Sequence, residues 1–307
     1  MAKLRLGVAA LLAGDALLEV QGIRRVLGER GVERMDPHIT LVPPFNLPVE
    51  EVDEFVGMVG RTVGRHAPFP VRLGASATFG DESPVLFLEV DDLEEAFRTL
   101  TEQILVYTPL ESLRRVYHPH CTLGDGFSPD EIALLIRSLS FYDRSIEVSS
   151  IAIMEKPDMP PKSRWRPYVS FELGEHRRLI RGGLELDLFV VSDVPSVYSP
   201  RSGPSTLAFL GSKMLGRCDT ERVSPRVVEL CDLVVDDEDM RARGVGRSLW
   251  EMTLRYLKTL EVSLVIARPS PAQEAFLAKL GFVESVDPLV GMACYGVMSK
   301  LWSFSIL

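Results

Sequence analysis

Two copies of one short frame constrain this chain more than any other feature. The first reads Pro-His-Ile-Thr-Leu over residues 37–41, and the second reads Pro-His-Cys-Thr-Leu over residues 119–123. In a β-strand, residues two apart point to the same face, so each histidine projects beside its threonine while the apolar residues face the other way. Proline suits the first position of a strand, where its missing N–H disrupts no ladder. The sequence therefore predicts two short strands, each with one polar and one buried face.

Brought face to face, the two frames predict a site for acid–base chemistry. His38 and His120 would supply one base and one acid, because an unperturbed imidazole titrates near pH ~6.5. Thr40 and Thr122 would supply hydroxyl groups to a phosphate. A single His-x-Thr pair in a strand is usually a half-buried polar pair, but two of only five histidines share this frame. The repeat favours catalysis, and the residues alone leave open which histidine is the acid.

The two frames and their flanks resemble the paired signatures of the 2H phosphoesterases. Residues 37–45 (Pro-His-Ile-Thr-Leu-Val-Pro-Pro-Phe) and 119–124 carry the likeness, which extends over about residues 3–173. That superfamily includes the RNA 2′,3′-cyclic phosphodiesterases, also called 2′-5′ RNA ligases. The resemblance implies metal-independent hydrolysis of 2′,3′-cyclic or 2′-5′ phosphodiesters of RNA ends or small nucleotides. It also implies His38 as the acid and His120 as the base, and it names no particular substrate.

Hydrophobic periodicity predicts an α+β domain over residues 1–174. Strands and helices alternate roughly as βαβαββαβαββ, and the two histidines lie 82 residues apart, about half the domain. The resemblance implies a bilobal fold of two antiparallel sheets flanked by helices, each lobe supplying one His-x-Thr pair. One helix is expected over residues 15–27 with an apolar stripe of Leu17, Val20, Ile23 and Val26. Another is expected over Pro129–Ser138, capped by Ser128.

A short basic and aromatic segment follows the second frame. Arg164, Trp165 and Arg166 alternate charge with an aromatic ring, which could clamp a phosphate and stack a base. In the other interpretation, Trp165 closes the core beside two solvated arginines. Both interpretations stay open from the sequence.

The pattern changes after residues 174–178, a Gly-Glu-His-Arg-Arg segment expected to be the domain boundary. The second domain is expected over residues 179–307, with strands over Leu184–Val191, Leu207–Leu215 and Val227–Val235. A glycine-containing turn then opens an apolar helix. Glycines there let the backbone amides of a helix N-terminus approach a pyrophosphate, although a plain strand-to-helix turn is the usual meaning of Gly-x-Gly.

Residues 227–284 resemble the core of the GCN5-related N-acetyltransferases (GNAT). The order is strand, Arg-x-x-Gly-x-Gly, helix, strand, helix, Gly-Phe. The resemblance implies that this mixed α/β domain binds acetyl-CoA, with an unknown acetyl acceptor. The coenzyme contacts would come from one continuous run, namely Arg241, Arg243, Gly244, Val245, Gly246 and Arg247.

Two departures from the GNAT pattern separate coenzyme binding from acetyl transfer. The tyrosine that commonly protonates the leaving thiolate is replaced by Leu277, with Tyr295 as a candidate substitute. The segment over residues 184–206 is also short for the pair of helices that usually shape the acceptor site. Coenzyme binding is therefore the stronger expectation of the two.

Composition narrows the partners and the compartment. The net charge is −9, nearly all of it within residues 1–174, so long duplex nucleic acids are not expected as partners. The four scattered cysteines predict neither a disulfide framework nor a zinc site and fit a reducing cytoplasm. An apolar run over residues 6–13 is too short for a membrane span and reads as a first strand rather than a signal peptide.

Two further functional classes remain open beside a phosphodiesterase fused to an acetyltransferase-like domain. One is a regulatory protein that binds a nucleotide in the first domain and senses acetyl-CoA in the second. Intact His-x-Thr pairs favour catalysis in the first domain, whereas Leu277 favours sensing in the second. The other is an acetyltransferase whose first domain delivers a nucleotide or RNA acceptor.

Overall fold

The structure, a computed structural model, divides the chain into two units, residues 1–174 and 175–307. The residues it describes are 2–28, 35–79, 85–110, 117–157, 164–191, 202–284 and 301–306. Three features expected from the sequence lie outside these ranges: a turn over residues 80–84, most of a loop over residues 195–204, and Tyr295.

The first unit follows the predicted order of strands and helices, with one predicted strand divided in two at Ser149. Its strands are β1 (Lys3–Leu11), β2 (His38–Pro48), β3 (Phe69–Thr78), β4 (Leu86–Asp91), β5 (His120–Gly124), β6 (Arg144–Val148), β7 (Ser150–Lys156) and the first part of β8 (Arg166–Arg181), whose residues after 174 belong to the second unit. Its helices are α1 (Gly14–Val26), α2 (Val52–Val63), α3 (Ala96–Leu105) and α4 (Pro129–Ser138).

The strands of the first unit lie in one antiparallel order, β8-β7-β1-β2-β5-β4-β3-β6. Two separate sheets were expected from the sequence. Instead, the half around β1 and β2 meets the half around β4 and β5 through a single residue pair, Ile39 with Cys121. The two His-x-Thr strands are therefore direct neighbours, and this junction positions the candidate site.

Strand β2 is longer than expected. The sequence predicts that Pro43 and Pro44 end it, but the strand continues to Pro48. Both prolines are exposed, and the pairing with β1 shifts register between Leu6 and Val8. A proline without an N–H donor is accommodated at such an irregularity, so the strand passes through the pair.

Helix α1 buries a different stripe from the predicted one. Its buried residues are Ala16, Val20 and Arg24, spaced four apart, whereas Val26 of the predicted stripe is 87% exposed. The helix is thus rotated about its axis relative to the sequence expectation. A charged side chain consequently occupies a buried position at its C-terminal end.

Helix α4 begins where the sequence predicts. The Ser128 hydroxyl accepts from the Glu131 amide, and the Glu131 carboxylate accepts from the Ser128 amide. Pro129 occupies the first turn, where no N–H is needed. This capping box makes the helix start a local property of the sequence.

The second unit contains the remaining elements. Its strands are β9 (Leu184–Val191), β10 (Ser205–Leu210), β11 (Lys213–Ser224), β12 (Val227–Val235), β13 (Leu264–Ala267), β14 (Val283–Glu284) and β15 (Trp302–Ser305). Its helices are α5 (Val245–Thr259) and α6 (Pro271–Leu280). The strand expected over residues 207–215 is in fact two strands that turn at Gly211. The boundary segment over residues 174–178 lies within strand β8.

The strands of the second unit run in the order β9-β10-β11-β12-β13-β15-β14. Strands β12 and β13 are parallel, and α5 lies between them in the chain. The apolar face of α5 packs on this sheet through Leu249, Trp250 and Met252, among others. A strand, a glycine turn and a helix are thus consecutive, as the motif predicts. Among the described residues, no helix is long and apolar enough to cross a membrane.

Candidate active site at the junction of β2 and β5

The single pair between β2 and β5 sets which side chains face each other. Ile39 lies opposite Cys121 in an antiparallel pair, and both are fully buried. Leu41 and Leu123, two residues further along each strand, are buried as well. Since side chains alternate along a strand, the residues between them point to the other face. The two-residue periodicity of the frame therefore places both polar pairs on one face.

The antiparallel register brings the histidine of each strand opposite the threonine of the other. His38 lies across from Thr122, and Thr40 lies across from His120, as follows from the Ile39–Cys121 pair. All four residues are partly exposed, unlike the apolar residues between them. The structure thus brings the four predicted residues together on one surface of the sheet.

A cavity of about 280 Å³ opens on this face. His38, Thr40 and Thr122 line its polar side together with Arg24. His120 is not among its lining residues; its ring packs against Phe79 and Phe87 at centroid distances of 5.0 and 5.1 Å. The cavity is near the lower end of the usual size of small-molecule sites, which favours a small ligand.

Both histidine rings are held in the same way. The Nδ1 of His38 lies 2.7 Å from the carbonyl oxygen of Asp36, and the Nδ1 of His120 lies 2.8 Å from that of His118. A carbonyl oxygen can only accept, so each Nδ1 carries the proton and donates it. Each Nε2 then carries no proton in the neutral ring. This arrangement leaves Nε2 as the nitrogen for proton transfer.

The surroundings keep both rings neutral. The pKa of His38 is lowered from 6.5 to about 4, mainly by burial and also by the charges of Arg24 and His120, while the bond to the Asp36 carbonyl opposes the shift. Burial also lowers the pKa of His120, although the bond to the His118 carbonyl partly opposes this shift. At neutral pH both Nε2 atoms can accept a proton in the free protein. An anion bound beside a ring would raise its pKa and allow it to act as an acid.

Arg24 is the residue of this site that the sequence interpretation missed. It lies on α1 with 4% of its surface exposed, and it lines the cavity. Its Nε and Nη2 donate to the carbonyl oxygen of Thr122, and its Nη1 donates to that of Met35 at 3.1 Å. Burial lowers the pKa of the guanidinium. In the sequence, Arg24 lies four residues after Val20 and therefore on the same face of the helix. A charged residue is normally expected to face solvent, so this spacing did not predict its burial.

Tyr117 is a second residue that the sequence interpretation did not single out for its side chain. Its hydroxyl donates to the carbonyl oxygen of Thr40 at 3.0 Å, and burial raises its pKa. The backbone of each site threonine is therefore held by a distant side chain, Thr40 by Tyr117 and Thr122 by Arg24. The Tyr117 bond joins the segment before β5 to β2, and the Arg24 bonds join α1 to β5, beside a ladder between β2 and β5 that is limited to one pair.

The structure separates the surroundings of the three residues Arg164, Trp165 and Arg166, which precede and open strand β8. Trp165 lines the apolar side of the cavity and also packs on a small cluster with Met35 and Met154. Neither arginine lines the cavity. Arg164 pairs with Asp36, and Arg166 pairs with the buried carboxylate of Glu155. The aromatic ring is thus placed to meet a ligand in the cavity, whereas the two guanidinium groups are engaged by carboxylates.

The glycine turn of the second unit opens α5 as predicted. Gly244 has φ +88°, a left-handed conformation that favours glycine, and Val245 begins the helix. The first helical bond runs from the Ser248 amide to the Gly244 carbonyl at 3.0 Å. The amides of Val245, Gly246 and Arg247 therefore lack an intrahelical acceptor, as at any helix N-terminus.

The arginines of this turn differ in their surroundings. Arg241 donates to the carbonyl oxygen of Val235 at 3.2 Å, and Arg243 donates to that of Gly182 at 2.8 Å. Arg247 is exposed. Two of the three predicted basic contacts are thus engaged with the protein's own backbone.

The position expected to carry a catalytic tyrosine is buried. Leu277 is 5% exposed and belongs to the apolar core of the second unit. Its neighbour Phe276 is 39% exposed. The Phe276 ring lies near the start of α5, since a Cβ added at Gly246 would be 3.2 Å from it. A tyrosine at 277 would have to fit its ring and hydroxyl into the core.

Comparison with known proteins supports the family resemblance of the first unit. Residues 13–158 match the family model described as the 2′-5′ RNA ligase superfamily. A protein of Halalkalibacterium halodurans, named provisionally as a phosphoesterase, is 28% identical over 46% of this chain and 86% of its own. A Bacillus cereus protein with the same provisional name is 28% identical over 45% of this chain and 80% of its own.

Solved structures similar to parts of the chain share little of its sequence. LigT of E. coli is 16% identical with a TM-score of 0.43, covering 56% of this chain and 99% of that one. A Thermus thermophilus protein is 19% identical with a TM-score of 0.44, covering 55% and 98%. A GNAT-family acetyltransferase of Staphylococcus aureus Mu50 is 14% identical with a TM-score of 0.31, covering 34% and 68%. The first of these is a neighbour of the N-terminal region, and the last covers the C-terminal part.

Over residues 13–158 the N-terminal region thus matches the 2′-5′ RNA ligase superfamily, in agreement with its resemblance to the 2H phosphoesterases. Together with the curated relatives, this match supports a phosphoesterase activity for the first unit.

Proposed function

We propose that the first unit hydrolyses 2′,3′-cyclic or 2′-5′ phosphodiesters of RNA ends or small nucleotides without a metal ion. The observation that carries the proposal is the register at the junction, which sets His38 opposite Thr122 and Thr40 opposite His120. Two neutral rings with Nδ1 fixed and two hydroxyl groups on one face supply a base, an acid and phosphate contacts. The small cavity, with Trp165 on its apolar side, suits one nucleotide.

The chemistry needs one proton acceptor and one proton donor. The base takes a proton from water as the water oxygen attacks phosphorus, and the acid gives a proton to the departing ribose oxygen. The hydroxyls of Thr40 and Thr122 would donate to the non-bridging oxygens. The phosphodiester anion itself favours protonation of the acid ring, because a nearby negative charge raises the pKa of a histidine.

Electrostatics favour His38 as the base and His120 as the acid. Burial and the charge of Arg24 keep His38 neutral down to about pH 4. A general acid must carry its proton before the reaction begins, and His38 is neutral at neutral pH. A neutral ring can instead accept the proton of the attacking water, which is the role of the base. This assignment is the reverse of the one that the family resemblance implies.

A substrate with an activated leaving group distinguishes the two assignments. Cleavage of a nucleoside 3′-(p-nitrophenyl phosphate) needs little help from an acid, because p-nitrophenolate leaves unprotonated. His120→Ala should therefore keep most of its activity on this ester, while His38→Ala should lose at least about 100-fold. The opposite pattern would restore His38 as the acid.

The activity itself can be tested without choosing a substrate in advance. The intact protein is incubated in EDTA with 2′,3′-cyclic mononucleotides, 2′-5′ oligoadenylates, cyclic dinucleotides and ADP-ribose cyclic phosphate, and the products are identified by mass spectrometry. The doubly substituted His38→Ala/His120→Ala protein is the negative control, and His66→Ala is the control for loss of a histidine outside the site. Turnover by the double variant, or complete loss in EDTA, would refute the mechanism.

For the second unit we propose acetyl-CoA binding at the start of α5. The left-handed Gly244 and the three amides that follow it offer donors to a pyrophosphate. The residue pairs between β12 and β13 end at Leu230 with Ala267, whereas β12 continues to Val235. Strand β13 ends at this last pair, so β12 continues toward the glycine turn paired only with β11.

The buried Leu277 favours coenzyme binding without efficient acetyl transfer, and so favours a regulatory role for the second unit. A thiolate leaving group needs a proton donor, and the expected position is apolar and inside the core. Measuring acetylation of polyamines and peptide amines beside acetyl-CoA affinity separates the two roles. Tight binding with turnover no faster than the uncatalysed reaction supports sensing.

A further inference from the structure

Arg24 carries a buried positive charge that no carboxylate of the described residues neutralises directly. Its side chain is 4% exposed, and within the described part of the chain no carboxylate oxygen lies at ion-pair distance from it. The carboxylate of Asp36, which acts on it only from a distance, is bound by Arg164 and Gln21. Among the described residues, the hydrogen bonds of Arg24 go to the carbonyl oxygens of Thr122 and Met35.

A charge in this position is costly unless something neutralises it. Burying an ion costs several kcal/mol even after relaxation, and neutral carbonyl groups offset only part of that cost. A guanidinium has five N–H donors, of which three are used by the two carbonyls. The other two have no acceptor within the described ranges, on a group that lines the cavity. An anion in the cavity would neutralise the guanidinium charge and accept hydrogen bonds from its two remaining N–H groups.

The location of Arg24 is specific to the reacting centre. It bonds to the backbone of Thr122, and its charge lowers the pKa of His38. Its neighbour on the helix, Arg25, is exposed. The buried guanidinium thus sits beside one member of each His-x-Thr pair, on the polar side of the cavity.

We propose that Arg24 is a substrate-binding residue that neutralises the phosphate in this cavity. The inference rests on the proposed function, since it takes the ligand to be an anionic phosphoester, and it adds that recognition of the phosphate charge comes from helix α1. The two carbonyl bonds hold the guanidinium plane in place before the ligand arrives. Arginine suits this task because its fixed fork matches phosphate oxygens.

The test uses the full-length protein and two probes, inorganic phosphate and 2′,3′-cyclic AMP. Binding is measured by calorimetry in a phosphate-free buffer, and thermal unfolding is recorded for each variant. Arg24→Gln removes the charge. Arg24→Lys keeps the charge but lacks the planar guanidinium that can bind two oxygens at once, and Arg25→Gln is the matched control on the same helix. We expect Arg24→Gln to weaken both probes by at least about 10-fold, the scale of a lost charge-assisted hydrogen bond. Arg24→Lys should lie between it and the wild type, and Arg25→Gln should bind as the wild type does.

The thermal data separate ligand binding from a role in the fold. Lysine cannot bridge two carbonyls as a guanidinium does, so a purely structural Arg24 would make the lysine and glutamine variants equally weak in binding. That result, or a folded Arg24→Gln protein with wild-type affinity, would overturn the inference. If Arg24→Gln does not fold, complete loss of phosphate binding by a folded Arg24→Lys protein would overturn it too.

The two probes keep this inference distinct from the proposed function. A wild-type protein that binds inorganic phosphate but cleaves neither cyclic nucleotides nor 2′-5′ oligoadenylates would refute the proposed function. The role of Arg24 would then be tested by the affinity for inorganic phosphate alone. A wild-type protein that binds neither probe would overturn the inference about Arg24.

Discussion

Replacing His38 by glutamine should make the stability of the protein less sensitive to acid. Burial lowers the pKa of His38 from 6.5 to about 4 in the folded state, while the unfolded chain keeps the ordinary value. Between these two pH values the unfolded state binds a proton at this ring and the folded state does not. The free energy of unfolding therefore falls as pH falls from 6.5, and the loss is complete near pH 4. Glutamine does not titrate, so this contribution disappears.

The size of the effect follows from the two pKa values. A fall from 6.5 to about 4 corresponds to about 3 kcal/mol of unfolding free energy when the loss is complete. At pH 5 the unfolded ring is almost fully protonated and the folded ring is not, so about 2 kcal/mol is lost relative to pH 7.5. The residue keeps some solvent exposure, and these figures are therefore upper values.

Urea unfolding at several pH values between 7.5 and 5 measures this difference directly. The wild type and His38→Gln share all other titrating groups, so the pH dependence of their difference isolates His38. His66→Gln serves as the control for removing a histidine at another position. Parallel curves for the wild type and His38→Gln across this range would show that the ring titrates normally in the folded state and that its environment has been misjudged.

Four other substitutions test the remaining contacts. His120→Ala should lower kcat on a cyclic nucleotide by at least about 100-fold, as the loss of an acid or base does, and steady-state kinetics will show whether it falls that far. Thr122→Ala should cost less, about 10-fold in kcat/KM, because one neutral hydrogen bond to phosphate is lost. Trp165→Ala should raise KM about 10-fold through lost base stacking, and a lower unfolding temperature with unchanged KM would instead make Trp165 purely a core residue. Gly246→Glu should abolish the calorimetric signal of acetyl-CoA by adding bulk and negative charge at the helix start, and unchanged heat would place the coenzyme elsewhere.

The placement of the two His-x-Thr pairs was readable in the sequence because it depends on a local rule. Alternation along a strand puts His38 and Thr40 on one face and buries Ile39, whatever the rest of the chain does. The same holds for the second copy of the frame. The start of α4 is equally local, since Ser128 and Glu131 satisfy each other's backbone. Such features need only neighbours within a few residues.

Other expectations failed where the deciding contact was distant in the chain. Pro43 and Pro44 were expected to end β2, but the register shift against β1 lets the strand continue. The segment over residues 174–178 was expected to be the domain boundary; the two units divide after residue 174, but the chain crosses this point within one continuous strand, β8. Polar and glycine-rich composition describes a local tendency, and pairing with a neighbouring strand overrides it.

Sequence alone determined which residue types meet at the junction of β2 and β5; the tertiary structure decided what surrounds them. The rotation of α1 could not be read from its apolar residues, because several faces of that helix carry them and a charged residue is assigned to solvent by default. The buried Arg24 donates to the carbonyl of Thr122, 98 residues further along the chain, a contact that only the tertiary fold provides. Likewise, Trp165 lines the cavity whereas its two flanking arginines do not. Residues of β1, β2 and β7 form this cavity, so it exists only once these strands are assembled. A buried charge and an enclosed cavity depend on contacts that chain folding brings together, and no local pattern specifies them.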